Sequence, residues 1–239
     1  MRRPSNASAA DPSVWIVFNR SGNDPSAEWE QWKQRRQDMV SAQLQRRGID
    51  DPRVLAAMRE VPRHLFVSAA QASHAYEDRP LDIGQQQTIS QPYTVAFMTQ
   101  TLQLQGAEKV LEIGTGSGYG AAVLSRLAAQ VFTLERLPEL ADAARRRLDQ
   151  LGYQNVRVEH RDGILGLPEQ APFDAIVVTA GAPQLPAAYL SQLSDGGRLV
   201  IPIDHGDHQQ AMYRFRRHGE SHPREYLGNF MFVPLISGV

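Results

Sequence analysis

Three glycines stand at alternate positions, Gly114, Gly116 and Gly118, in the run VLEIGTGSGYG at residues 110–120. Glycine adopts positive φ angles and has no Cβ, so a glycine-rich loop lets a ligand lie directly against the backbone. A loop of this kind between a strand and a helix lies at the carboxyl end of a parallel sheet, where ligands bind. The spacing therefore predicts a ligand site, and a tight strand-to-helix turn without a ligand is the alternative.

Glu135 is a second residue with the position and chemistry of a ligand contact. It ends the next predicted strand, 21 residues after Gly114. An acid at this distance can accept two hydrogen bonds from a ribose diol. The run from Gly116 to Ala121 also fits the looser dinucleotide pattern G-x-G-x-x-A, so the residues alone leave a nicotinamide cofactor as an alternative. A solvated acid near the start of the next helix is the other interpretation of Glu135.

The elements that must position these residues alternate between helices and strands. Helical spacing of apolar residues predicts helices at 27–47, where Gly48 supplies a stop, and at 52–59. The polar segment 77–93 is too long for a minimal connection and is a candidate binding loop. The pattern then predicts helices at 94–104, 120–129, 138–151 and 186–192 and strands at 109–113, 130–134, 156–160, 175–179 and 198–203.

This alternation predicts an α/β fold with a doubly wound, mostly parallel sheet and N-terminal helices. The run DAIVVTA at 174–180 is nearly continuous in apolar residues, as expected for a strand that is buried on both faces. The runs at 211–217 and 231–236 are strand-like without a helix between them. They predict antiparallel C-terminal strands that close one edge of the sheet.

A chain of 239 residues with 42% hydrophobic content is long enough for one well-buried domain. We expect a flexible tail at 1–27, in which 14–18 has the pattern of a short strand, and a single domain at 28–239. Within that domain we expect a helical cap and substrate loop at 28–93, a cofactor-binding core at 94–203 and C-terminal strands at 204–239.

Charge and cysteine content narrow the function classes. Because 25 basic residues are balanced by 26 acidic residues, nothing suggests a nucleic-acid partner. No run approaches the roughly 18 apolar residues of a membrane span, so we expect no membrane crossing. The absence of cysteine excludes disulfides and a cysteine nucleophile, and it fits a cytoplasmic protein, which we expect to be monomeric.

A cluster of Asp and His side chains is the one candidate metal site. Asp204, His205, Asp207 and His208 occur together in IDHGDHQQ. They fall in a polar turn between two predicted strands, which favours a solvated loop over a ligand set. We therefore expect no metal.

The order of motifs resembles a known family. The glycine run, the strand that ends in Glu135, HRDG at 160–163, PFDAIVVTAGAP at 172–183 and LSDGGRLVIPI at 193–203 resemble the successive motifs of class I S-adenosylmethionine-dependent methyltransferases, which have a Rossmann-like fold. More narrowly, VPRHLFV, GQQQTISQPY and the closing FVPL resemble the protein-L-isoaspartate O-methyltransferases, from about residue 33 to the C-terminus. TISQPY and FVPL are the most specific of these motifs.

The resemblance implies S-adenosyl-L-methionine as cofactor and S-adenosyl-L-homocysteine as product. It implies that the glycine motif holds the methionine end of the cofactor, that Glu135 binds the ribose hydroxyls, and that Thr179 and Ala180 line the position of the methyl donor. The adenine amino group would donate to the acid of the Asp162-Gly163 pair. The cofactor-binding residues that it implies are Glu112, Gly114, Thr115, Gly116, Ser117, Glu135, Asp162, Gly163 and Thr179.

Ser90 matches the serine that the family places beside the methyl-accepting carboxylate. From composition alone, a loop serine that caps the next helix is the favoured interpretation, and only the resemblance reverses this order. The implied substrate-binding residues are Thr88, Ile89, Ser90, Gln91, Val233, Pro234 and Leu235. The chain departs from the family pattern at Asp82, Gln86, Gly120 and Arg161, which affects the substrate loop and the cofactor geometry.

The implied activity is methyl transfer to the free α-carboxylate of L-isoaspartyl residues in damaged proteins and peptides, which starts repair through a succinimide. That carboxylate is ionised at neutral pH, so it needs no general base. A methyltransferase with another acceptor and a non-catalytic protein that binds S-adenosylmethionine are the alternatives. A dehydrogenase is disfavoured because the sequence offers no convincing partner for hydride transfer.

Overall fold

A computed structural model describes residues 25–206 and 209–238 of the chain. The helices of this part are α1 (Pro25–Met39), α2 (Pro52–Glu60), α3 (Pro92–Thr101), α4 (Tyr119–Ser125), α5 (Pro138–Gln150) and α6 (Ala187–Ser191). The strands are β1 (Leu81–Gly84), β2 (Gln87–Ile89), β3 (Lys109–Ile113), β4 (Gln130–Glu135), β5 (Val156–His160), β6 (Phe173–Val178), β7 (Leu193–Asp204), β8 (Gln210–Arg216) and β9 (Arg224–Phe230).

Strands β3 to β9 form one sheet in the order β5-β4-β3-β6-β7-β8-β9. Neighbours from β5 to β7 run parallel, whereas β8 and β9 are antiparallel to their neighbours. The predicted α/β fold with antiparallel C-terminal strands is confirmed. The chain reverses its direction of winding between β3 and β6, and such a switch point opens a crevice at the strand ends.

Alternate residues of the central strands enter two separate cores, one on each face of the sheet. Val110 and Val177 pack in the core that the N-terminal helices cover. Leu111 and Ile176 pack in the core on the opposite face, together with Tyr189 of α6. Burial on both faces explains why these strands are apolar along their length.

The predicted N-terminal helices form with small changes at their ends. Helix α1 continues as a π-helical turn, Val40–Leu44, and a 3₁₀ turn, Gln45–Arg47. Gly48 then ends the segment with a φ of +89°, as expected from its position in the sequence. The predicted helix at 120–129 is shorter in the structure, where α4 ends at Ser125.

One sequence prediction was wrong in detail. The outermost antiparallel strand is β9, and the predicted strand at 231–236 leaves the sheet instead. Pro234 lacks an N–H group and cannot take part in a regular ladder, which explains this difference. The predicted loop at 77–93 contains the β1–β2 hairpin. The candidate strand at 14–18 lies outside the described residues.

Candidate functional site

The glycine loop connects β3 to α4 with three positive φ angles, +99° at Gly114, +51° at Gly116 and +88° at Gly118. A Cβ on Gly114 would collide with the Thr179 hydroxyl oxygen at the end of β6. That hydroxyl donates to the carbonyl oxygens of Ile113 and Gly114, at 3.0 and 2.8 Å. The loop therefore needs glycine at position 114 both for its backbone angle and for its close packing against β6.

Glu135 ties this loop to the end of β4. Its carboxylate accepts from the backbone N–H of Gly116 at 2.8 Å and from that of Leu137 at 3.1 Å. Glu135 is 7% exposed, and it lines the crevice at the strand ends. Two carboxylate oxygens offer about four acceptor sites, so the acid can accept further hydrogen bonds from a ligand.

The strand-end cavity lies at the carboxyl ends of β3, β4 and β6, where the switch point opens the sheet. Its lining includes cofactor residues predicted from the sequence, namely Gly114, Gly116, Glu135, Gly163 and Thr179, together with Ala180. It also includes four of the predicted substrate residues, Thr88, Val233, Pro234 and Leu235. The structure thus brings the glycine loop, the acid of β4 and the C-terminal segment to one cavity.

Four predicted cofactor residues do not line the strand-end cavity. Thr115 and Glu112 are two of them, and both contact Thr133. The hydroxyl oxygens of Thr115 and Thr133 lie 2.7 Å apart, and the Thr133 hydroxyl donates to Glu112 Oε2 at 2.6 Å. Ser117 borders a separate cavity between the hairpin and α5. The Asp162 carboxylate accepts from the N–H groups of Ile164, at 2.9 Å, and Gly238, at 2.5 Å. Asp162 thereby fastens the C-terminal segment beside Gly163.

A second cavity, the hairpin cavity, adjoins the first. It is lined by Pro80, Thr88, Ser90, Gln91, Thr94, Thr179, Met231, Phe232 and Val233. Thr88, Thr179 and Val233 line both cavities, so a group held in one lies next to a group held in the other. Predicted residues Ser90 and Gln91 lie here, whereas Ile89 is buried in the core opposite Leu81 of the hairpin.

A third space, the rear cavity, is lined by Ser90, Val95, Met98, Thr99, Glu112, Gly120, Leu124, Val177 and Thr179. Glu112 is 1% exposed. Burial raises the pKa of Glu112 to about 8; the charge of Glu135 adds to this, and the hydrogen bond from Thr133 opposes it. The Glu112 carboxyl group is therefore largely protonated at neutral pH.

The departures from the family pattern have local structural explanations. Gln85 and Gln86 form the hairpin turn with φ angles of +54° and +57°, which most side chains disfavour. Asp82 accepts from the Gly84 N–H at 2.9 Å and so supports the same turn. Arg161 pairs with Glu169 at 2.5 Å.

Several residues on the cavity walls were missed in the sequence. Arg136 and Leu137 follow Glu135 directly and line the strand-end cavity with Ile236. Met231 and Phe232 precede the closing motif and line the hairpin cavity. Adjacency to the motifs was the available signal for all of these residues.

Within 25–206 and 209–238, no group of three or more His, Asp or Glu side chains could hold a metal ion. Asp207 and His208 of the candidate cluster lie outside the described residues. No helix in the described part of the chain has both the length and the apolar character needed to span a bilayer.

Comparison with known proteins decides the family. The family model for protein-L-isoaspartate(D-aspartate) O-methyltransferase (PCMT) matches residues 34–239. The chain belongs to this family. A protein-L-isoaspartate O-methyltransferase 2 from Pelobacter propionicus is 56% identical over 215 residues, which is 90% of this chain and 95% of the relative. A protein-L-isoaspartate O-methyltransferase from Methanoculleus marisnigri is 51% identical over 206 residues, 85% of this chain and 92% of the relative.

Solved structures of the family agree with the fold. A protein-L-isoaspartate O-methyltransferase superposes with a TM-score of 0.76 at 32% identity, over 83% of this chain, which spans 65% of that longer chain. A putative protein-L-isoaspartate O-methyltransferase from Plasmodium falciparum gives a TM-score of 0.73 at 26% identity, over 85% of this chain and 99% of its own. That protein was solved in complex with S-adenosyl-L-homocysteine.

Proposed function

We propose that this protein transfers a methyl group from S-adenosyl-L-methionine to the free α-carboxylate of L-isoaspartyl residues in damaged proteins and peptides. Membership of the protein-L-isoaspartate O-methyltransferase family supports this activity. The observation that carries it in the structure is the contact between two cavities. Thr88, Thr179 and Val233 line both the strand-end cavity and the hairpin cavity, so a donor in the first would lie beside an acceptor in the second.

The strand-end cavity fits the cofactor. Gly114 and Gly116 leave the backbone open, and Glu135 places a carboxylate where a ribose diol would donate to it. S-adenosyl-L-methionine supplies an activated methyl group on a positively charged sulfur. We assign the other end of this cavity, at Gly163 and beside Asp162, to the adenine ring.

The hairpin cavity fits the acceptor carboxylate. Because that carboxylate is ionised at neutral pH, no side chain has to remove a proton from it. The work of the protein is to hold the carboxylate in line with the donor and to exclude water. Ser90 provides a hydroxyl donor in this cavity, and Gln91 and Thr88 provide further polar groups. Repair then continues in the product, where the next backbone nitrogen attacks the methyl ester, methanol leaves and a succinimide forms.

The test is methyl transfer from labelled S-adenosyl-L-methionine to paired peptides that differ only in isoaspartyl or aspartyl linkage. Label would be scored as base-labile methanol. We expect labelling of the isoaspartyl peptide alone. Equal labelling of both peptides would indicate another acceptor, and intact cofactor binding without any labelling would indicate a non-catalytic binding protein.

A cytoplasmic location, a monomeric state and the absence of nucleic-acid and membrane partners stay predictions from the sequence. The hairpin cavity is bounded on one side by the exposed side chain of Met231. An open wall of this kind supports broad tolerance for the residues that flank the isoaspartyl group. A peptide panel with varied flanking residues would contradict this if one sequence were strongly preferred.

A further inference from the structure

Ser90 separates two spaces of different character. It lines the hairpin cavity, where we place the acceptor carboxylate, and it also lines the rear cavity. Thr179 is the other residue that the two cavities share. Groups in the rear cavity can therefore influence how the Ser90 hydroxyl is oriented without touching the acceptor.

Glu112 is the ionisable group on the wall of the rear cavity. Its Oε2 atom accepts from the Thr133 hydroxyl of β4 at 2.6 Å. Its Oε1 atom lies beside Gly120 of α4, where a Cβ would collide with it. Gly120 also lines the rear cavity, so a larger residue at this position would displace the carboxyl group. The glycine that departs from the family pattern thus leaves room for this arrangement.

The surroundings of Glu112 keep its carboxyl group neutral. From β4 it faces Thr133 and the charge of Glu135, and both burial and that charge raise the pKa of Glu112. The rear-cavity residues that α3, α4 and β6 contribute carry no charge: Val95, Met98, Thr99, Gly120, Leu124 and Val177. A neutral carboxyl group has an O–H to donate, whereas a carboxylate can only accept.

The walls of the rear cavity are mostly apolar, and four of its lining residues carry a polar side chain. Its polar side chains are the hydroxyls of Ser90, Thr99 and Thr179 and the carboxyl group of Glu112. A buried water molecule needs two to four such partners. The cavity therefore has the chemistry of a site for a single water molecule between Glu112 and Ser90.

We propose that Glu112 is a positioning residue for Ser90 and that it acts through a water molecule in the rear cavity. The carboxyl group of Glu112 donates to this water, and the water donates to the Ser90 hydroxyl oxygen. The Ser90 proton then points away from the rear cavity, toward the acceptor carboxylate. This role rests on the proposed function. It differs from the cofactor-binding role that the family resemblance implies for Glu112.

The test is a double-mutant cycle between Glu112 and Ser90, with turnover of isoaspartyl peptide at saturating cofactor as the readout. We expect E112L to lower kcat about tenfold, since it removes the donor while filling similar space. In the S90A background the same substitution should change kcat by less than about twofold, because its effect passes through Ser90. The amide variant E112Q keeps an N–H donor and should restore kcat to within about threefold of wild type.

Controls separate this role from a loss of structure. E108Q alters another buried glutamate, one whose carboxylate accepts from the Gln105 and Gly106 N–H groups, and it should leave kcat unchanged. G120A displaces the Glu112 carboxyl group with one methyl group while improving helix propensity, so it should repeat the loss seen with E112L. Calorimetry with S-adenosyl-L-homocysteine should show cofactor affinity within about threefold of wild type in both variants. A protonated carboxyl band in the infrared spectrum of wild type should be absent from E112Q.

The outcomes are distinct from those for the proposed function. Wild-type turnover of the isoaspartyl peptide decides that function before any variant is compared. Multiplicative losses in the S90A/E112L pair would overturn the positioning role. An E112Q variant as slow as E112L, or a loss confined to cofactor affinity, would also overturn it.

Discussion

The strand-end cavity and the hairpin cavity are adjacent but are built in different ways. The first is formed by the ends of three buried parallel strands, and a hydrogen bond from the Gly116 N–H to the Glu135 carboxylate holds its glycine loop. The second is lined by the hairpin and the residues beside it, by Thr94 of α3 and Thr179 after β6, and by residues 231–233, which belong to no helix or strand. We assign the first cavity to one invariant cofactor, for which a rigid site is sufficient, and the second to many damaged proteins, whose variable neighbours it must accept. The contrast teaches that the cavity assigned to the cofactor rests on more regular structure than the cavity assigned to the acceptor.

The strand-end cavity is the rigid half of the site, and a substitution that disrupts it should have the largest effect on cofactor binding. G114A puts a Cβ where the Thr179 hydroxyl lies and forces a non-glycine residue to a φ of +99°. We expect affinity for S-adenosyl-L-homocysteine to fall by about 100-fold or more, measured by calorimetry. The matched control is G196A, where φ is +75° but nothing lies within 4 Å of the added Cβ. Equal cofactor affinity in both variants would contradict the role of this close approach.

The hairpin cavity is the adaptable half of the site, and a substitution there should lower turnover while leaving cofactor affinity unchanged. S90A removes the hydroxyl that we assign to the acceptor carboxylate, so kcat should fall by about 10- to 100-fold. Cofactor affinity should change by less than about twofold, since Ser90 does not line the strand-end cavity. S125A removes a buried hydroxyl that bonds only within α4 and serves as control. A parallel loss of cofactor affinity in S90A would contradict the division between the two cavities.

Glu112 lies on the rear cavity behind Ser90, and its protonation should appear in the pH dependence of stability. The unfolded carboxyl group loses its proton near a pKa of 4.5, whereas the folded one keeps it until about 8. The folded state thus binds the extra proton, and the free energy of unfolding decreases as pH rises between these values. Relative to E112Q, wild type should lose about 1 kcal/mol between pH 6 and pH 7. Denaturant titrations with the same pH slope for both proteins would show that Glu112 is charged.

The smallest effect should come from the hairpin turn. Q86G removes a side chain from a residue with a φ of +57°, and relief of this strain should outweigh the added chain entropy. We expect a gain of about 0.5 kcal/mol in the free energy of unfolding, from denaturant titration. Q87G changes the neighbouring residue, which lies in β2, and should destabilise the protein. A loss in Q86G as large as that in Q87G would show that the turn is not strained.

Sequence patterns predicted the strand-end cavity well because the residues that form each of its strands and its loop are adjacent in the sequence. Short strand-like runs gave β3 and β5 with the right ends, although only β3 is deeply buried, and the alternate glycines marked the loop with positive φ. The strand that ends in Glu135 was visible for the same reason. Burial on both faces of a parallel sheet leaves a strong and continuous signal.

The adaptable half was harder to predict because it depends on contacts that are distant in sequence. The segment after β9 reads as a strand, yet its course is set by main-chain bonds to Gly181, about 50 residues earlier in the chain. The rear cavity is lined by Ser90, Glu112 and Gly120, which lie apart in the sequence, so no local pattern reveals it. Composition alone predicts a helix-capping role for Ser90, and only the family resemblance predicts a role at the acceptor.

The bonds at Gly181 have a consequence for how this protein can change over time. The Gly181 N–H donates to the Val233 carbonyl at 2.8 Å, and the Leu235 N–H donates to the Gly181 carbonyl at 2.7 Å. Because main-chain atoms make both bonds, the path of the segment depends little on its side chains. Mutational drift can therefore alter the surface that we assign to damaged proteins while the main-chain geometry beneath it is inherited intact.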